Sequence, residues 1–68
     1  MMKFRIAESI DRRDVGKMLF IRSATLSIGK TISLKDGRVY KIIDVEYVHE
    51  ERADGDRHYV QGVLRRIK

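Results

Sequence analysis

No cysteine stands among the 68 residues. Its absence excludes a disulfide, a thiolate zinc site, an iron–sulfur cluster and a cysteine nucleophile, leaving packing and backbone hydrogen bonds to hold the fold. Proline is absent too, and there is no Ser/Gly-rich stretch, low-complexity tract or repeat, which excludes a linker or a repeat array. No apolar run approaches the roughly 18 residues of a membrane-spanning helix. The opening residues MMKFRIAES carry neither an apolar signal-peptide core nor a small-residue cleavage site. The expectation is one small domain over residues 1–68, soluble, unprocessed and cytoplasmic, with no membrane partner. What the chain has in excess is positive charge: 15 Lys and Arg against 10 Asp and Glu, a formal net charge of +5. That balance favours an anionic partner without identifying it.

Residues 2–8 alternate Met2, Phe4 and Ile6 with Lys3 and Arg5, the period of a half-buried strand. The charged quartet Asp11-Arg12-Arg13-Asp14 reads as a solvated turn, and Met18-Leu19-Phe20-Ile21 as a strand buried on both faces. Leu26, Ile28, Ile32 and Leu34 share a parity, so a third strand is expected there, bent or bulged at Gly29. Lys35-Asp36-Gly37-Arg38 predicts a hairpin with a type I′ turn. Its second arm, residues 39–48, carries apolar residues on both parities, Val39, Ile43, Val45 and Tyr47 against Tyr40, Ile42 and Val48. A bend or bulge in that arm is expected. Residues 49–56 read as a mobile polar loop. The closing segment fits a helical face through Tyr59, Val60, Val63, Leu64 and Ile67, but Gly62, the valines and an early Arg57 favour a strand.

Four or five short strands in so short a chain call for a small all-β fold, either an SH3-like barrel or a strongly curved antiparallel sheet. The layout resembles an SH3-like barrel in its charged turn, the Asp14-Val15-Gly16-Lys17 entry to a strand, the Asp36-Gly37 hairpin and the closing Val60-Gln61-Gly62-Val63-Leu64 strand. The resemblance implies a fold and no activity.

Ala24-Thr25-Leu26-Ser27-Ile28-Gly29-Lys30-Thr31 satisfies a relaxed phosphate-loop pattern. Leu26 and Ile28 inside the loop and a strand after it argue against that chemistry, as does the lack of room for a parallel sheet. His49, Glu50, Glu51, Asp54, Asp56 and His58 gather metal-ligating groups within ten residues. Their linear spacing matches no standard motif, and the stretch reads as a solvated acidic turn balanced by Arg52 and Arg57, so no metal and no cofactor are expected. There is no nucleophile elbow or triad, so no enzymatic activity is expected.

The remaining candidate is a basic surface. Its nucleic-acid-binding residues are expected to be Lys3, Arg5, Arg12, Arg13, Tyr59, Arg65, Arg66 and Lys68, with Lys3 and Arg5 joining the C-terminal cluster if the first and last strands are neighbours. Evenly spread charge that keeps sheet edges soluble is the plainer account of the same residues. Among the aromatics, Phe4, Phe20 and Tyr47 are expected in the core, whereas Tyr40 and Tyr59 flank basic residues and are candidates for exposed stacking rings, the plainer account being that each covers a barrel mouth with its hydroxyl in water. The function expected is a non-enzymatic binding module that contacts nucleic acid. The alternative is a protein-interaction or assembly subunit, pairing with a protein partner or a second copy through a strand edge or apolar patch.

Overall fold

The longest β-prone run in the sequence becomes the longest strand. In the computed structural model, which describes residues 1–68, β1 (Met2–Glu8) is followed by a single 3-10 turn (Arg12–Asp14), β2 (Met18–Ile21), β3 (Thr31–Ser33), β4 (Val39–Glu50) and β5 (Arg57–Arg66). The closing segment is therefore a strand. The five strands form one curled, half-barrel sheet in the order β2-β1-β5-β4-β3. Of the two expected architectures the curved sheet is the one formed, since β2 and β3 remain as edges and the barrel does not close. The sheet is also not wholly antiparallel: β1 and β5 run parallel, with Phe4 opposite Gly62 and Ile6 opposite Leu64. The hairpin with β4 sets the direction of β5, and β1 meets it in that direction. No helix is long and apolar enough to cross a membrane.

The alternation in β1 sends Phe4 and Ile6 inward, where they pack with Tyr40, Ile42 and Leu64. Leu19, Ile21, Leu26, Ile32 and Leu34 cover this centre from the surrounding strands and loops. A bulge at Ile43, where the β4–β5 register shifts between Ile42 and Asp44, explains the two apolar parities of the run. Before it Tyr40 and Ile42 face the core; after it Val45, Tyr47 and His49 take over that face.

Three aromatic expectations change places. Tyr40 is fully buried, its hydroxyl accepting a hydrogen bond from Arg38 Nη1 at 3.2 Å. Phe20 is 61% exposed because β2 pairs only with β1, in a register that sets Leu19 beside Phe4 and Phe20 beside Lys3 on the outer face. Tyr47 is 69% exposed, since it lies on the part of β4 that only β5 accompanies.

The turn chemistry differs as well. Gly37 N–H donates to the Leu34 carbonyl and Leu34 N–H to the Arg38 carbonyl, and Gly37 alone in this turn has a positive φ, +93°. This is a type I turn closed by a glycine bulge, not type I′. Asp36 keeps a negative φ because its carboxylate takes the Arg38 N–H and guanidinium instead. The third strand is shorter than expected: residues 27–30 form a turn whose Gly29 N–H donates to the Ile42 carbonyl at 2.7 Å. The polar loop is shorter too, because β4 and β5 pair as far as Glu50 and Arg57.

Beyond the reach of β1, β4 and β5 continue as a two-stranded ribbon, drawing the molecule out to 39 × 24 × 19 Å. The accessible surface of 4894 Å² is about a tenth above the area that size scaling gives a compact 8 kDa protein.

Gly62 has no room for a side chain. A Cβ there would fall inside contact distance of the buried Phe4 ring and 3.1 Å from Leu26 Cδ2. Gly62→Ala is expected to lower unfolding stability by about 1–3 kcal/mol through overpacking, read as a reduced urea midpoint at unchanged slope.

Candidate functional site

Two basic clusters separated by about fifty residues meet at one end of the sheet. The sequence builds this end locally by capping: the Asp11 side chain accepts the Arg13 N–H at 3.0 Å and starts the 3-10 turn, which sets Asp14 inward. Asp14 is only 8% exposed. Its carboxylate accepts from Arg66 Nη1 at 2.8 Å and Ser9 Oγ at 3.2 Å, with Lys17 Nζ at 4.0 Å. A carboxylate this buried needs such partners, and Arg66 supplies the charge. Lys68 closes the arrangement, its carbonyl accepting from Val39 N–H and from Arg66 Nε.

The end thus collects Arg12, Arg13, Lys17, Arg65, Arg66 and Lys68 against Glu8, Asp11 and Asp14, an excess of three positive charges. Arg13 is tied to Asp11 at 3.2 Å and Arg65 to Glu8 at 3.7 Å, both pairs open to solvent. Hydrogen bonds from the Arg13 side chain, then its backbone, hold the Asp11 carboxyl below the usual range. No carboxylate lies within ion-pair distance of Arg12 or Lys68.

Lys3, Arg5 and Tyr59 are not brought to this end. The parallel register sets Arg5 opposite Val63, so Lys3 points toward the ribbon and away from Arg65. There the three join a polar ladder on the outer face. Arg5 makes a two-pronged bond to Glu46, at 2.8 and 3.1 Å, and Gln61 Nε2 donates to the same carboxylate. Lys3 Nζ donates to Tyr59 OH at 3.0 Å, which donates to Glu50 Oε1 at 2.8 Å. The Lys3 ammonium also lies 4.7 Å from the Tyr59 ring centroid. Beside the ladder, an open cleft of about 630 Å³ is lined by Phe20, Lys3, Tyr59 and Arg57 among others.

The phosphate-loop-like segment leads into β3 rather than a helix, and the Gly29 and Lys30 amides are taken by the Ile42 and Ser27 carbonyls. Residues that sequence reasoning passed over are Asp14 and Glu46, carboxylates that each organise an arginine. Nothing in their local sequence marks them, because their partners lie 52 and 41 residues away. The pairing of His49 with His58 was within reach of sequence reasoning, by folding the two arms about residues 53–54. Comparison with family models, curated proteins and solved structures finds no match to this chain.

Glu46 provides a test of the ladder. The Arg5 side-chain bonds, then that of Gln61, hold its carboxyl below the ordinary glutamate range, so the interaction stabilises the fold above the unfolded-state pKa near 4.3 and is lost as pH falls through the lower folded value. Glu46→Gln is expected to be less stable than the parent at neutral pH, the gap closing as the parent's Glu46 protonates. Urea unfolding at a series of pH values between about 7 and 2.5 measures this.

Proposed function

We propose that this chain is a non-enzymatic binding module that contacts the phosphate backbone of nucleic acid with the basic end of its sheet. The observation that carries this reading is the convergence of Arg12-Arg13 and Arg65-Arg66-Lys68 around the buried Asp14. Arg66 is fixed there as a strut and Arg13 is held on two prongs by Asp11, while Arg12 and Lys68 are free to take phosphates and Arg65 can exchange its exposed carboxylate partner for one. No exposed aromatic belongs to this cluster, so the contact is one of charge and position rather than base readout. Lys3, Arg5 and Tyr59 stand outside the proposed contact. A cytoplasmic setting is part of the reading, supported by a composition free of cysteine.

A second reading, a protein-interaction module, is favoured by one observation. Phe20 on the open β2 edge, and Tyr47 and Val60 side by side in register on the ribbon, are 61%, 69% and 43% exposed, and an uncovered strand edge is a template for pairing.

Fluorescence anisotropy with short single- and double-stranded oligonucleotides separates the two. Saturable binding at low salt is expected to weaken linearly in log–log form with added salt, and Arg12→Ala/Lys68→Ala to reduce the slope by roughly one unit per lost phosphate contact. No binding at low salt sinks the nucleic-acid reading. Under the second reading, light scattering in the same buffers shows association that Phe20→Ser or Tyr47→Ser abolishes.

A further inference from the structure

The ribbon face opposite the polar ladder carries a cluster that neither reading uses. His49 and His58 are register partners across β4 and β5, so their Cβ atoms leave the same face about 5 Å apart. Their rings lie parallel, with centroids at 4.3 Å and planes 11° apart. Asp56, in the loop that closes the hairpin, turns back so that Oδ2 lies 3.2 Å from His49 Nε2. One ligand atom from each of the three residues falls within 4.8 Å of the other two.

We propose that His49, Asp56 and His58 form a binding site for a divalent first-row transition-metal cation of the zinc or copper(II) kind. Metal–ligand bonds of 2.0–2.1 Å in tetrahedral geometry set neighbouring ligand atoms about 3.3 Å apart. The Asp56–His49 pair already has that span. His58 is exposed, and the site requires its ring to rotate out of the stack so that its lone pair turns toward the same point. Two imidazole nitrogens with one carboxylate oxygen suit a borderline cation, whereas magnesium and calcium favour all-oxygen sets.

The surroundings are right for a cation in an otherwise basic protein. Residues 50–57 contain Glu50, Glu51, Asp54 and Asp56 against Arg52 and Arg57, which leaves this loop negative on balance in a chain of net charge +5. Tyr47 lies against His58 at 5.9 Å between ring centroids and limits how far that ring swings outward. The remaining coordination positions face solvent and would hold water. A bound ion would also join β4 to β5 where no third strand runs alongside. The linear order, two histidines nine residues apart with an aspartate between them, fits no standard motif because the hairpin register, not a helical turn, makes the spacing.

The probe is zinc, titrated into the full chain in a non-coordinating buffer at about pH 7.5, held constant because metal affinity depends on pH. Amide and imidazole NMR signals are expected to shift saturably at one ion per chain, within residues 47–60. Zinc should raise Tm because it binds only the folded ribbon, and magnesium at the same concentration should do neither. His49→Gln and His58→Gln are each expected to weaken zinc binding by more than about tenfold, with the parent's amide spectrum outside the ribbon as the folding control. Saturating zinc should also protect both imidazoles of the parent from diethyl pyrocarbonate, a measurement that needs no variant. Shifts that do not saturate, histidine variants that bind zinc like the parent, or the absence of protection would each overturn the site.

Discussion

Everything in this molecule hangs on the position of β5. It is the middle strand of five, hydrogen-bonded to β1 on one side and β4 on the other, and it carries Gly62 and Leu64, the first making room for the Phe4 ring and the second filling the centre of the core. A chain this short has little apolar area to bury. Placing its last strand between its first and its fourth lets Phe4, Ile6, Tyr40, Ile42 and Leu64 meet in a single cluster. The same arrangement explains why the sheet curls without closing, since β2 and β3, the short strands of four and three residues, are left at the edges. Short edge strands offer few unpaired backbone groups, which limits unwanted pairing.

The central position of β5 also divides the charges. Its outer-face residues near the ribbon lie beside Lys3, Arg5 and Glu46 and build a neutralised ladder of hydrogen bonds, whereas its C-terminal residues reach the 3-10 turn and gather positive charge about one buried carboxylate. A guanidinium held on two prongs by a carboxylate has two of its five N–H donors committed and its charge paired. One with an exposed, single-pronged partner at 3.7 Å, such as Arg65, exchanges it at little cost. Composition counts these arginines alike; the structure separates struts from available cations.

The ribbon formed by the far halves of β4 and β5 is the least supported part of the sheet, since an isolated two-stranded hairpin is marginal in water. One face is stitched by Lys3–Tyr59–Glu50 and Arg5–Glu46–Gln61. The other presents Tyr47, Val60 and the stacked histidines to solvent. That asymmetry follows from the bulge at Ile43, which moves the odd-numbered residues of β4 onto the concave face after the even-numbered ones have filled the core.

The strand character of residues 2–8, the long arm after the Asp36-Gly37 turn, the need for a bulge in it, and the closing strand were all legible in the sequence, because period-2 patterning and turn residues are local signals. Tyr40, Phe20 and Tyr47 were misplaced for a shared reason. Parity identifies which residues share a face, but only strand order and the extent of pairing decide whether that face is covered. The sheet order, the parallel β1–β5 pair, the meeting of Arg66 with Asp14 across 52 residues and that of Arg5 with Glu46 across 41 likewise have no local signature. By itself the sequence determined a small, cysteine-free, basic all-β chain, since composition and short-range periodicity specify those properties. The tertiary structure alone decided which charges are spent, which remain available and which histidines meet, because these depend on long-range register.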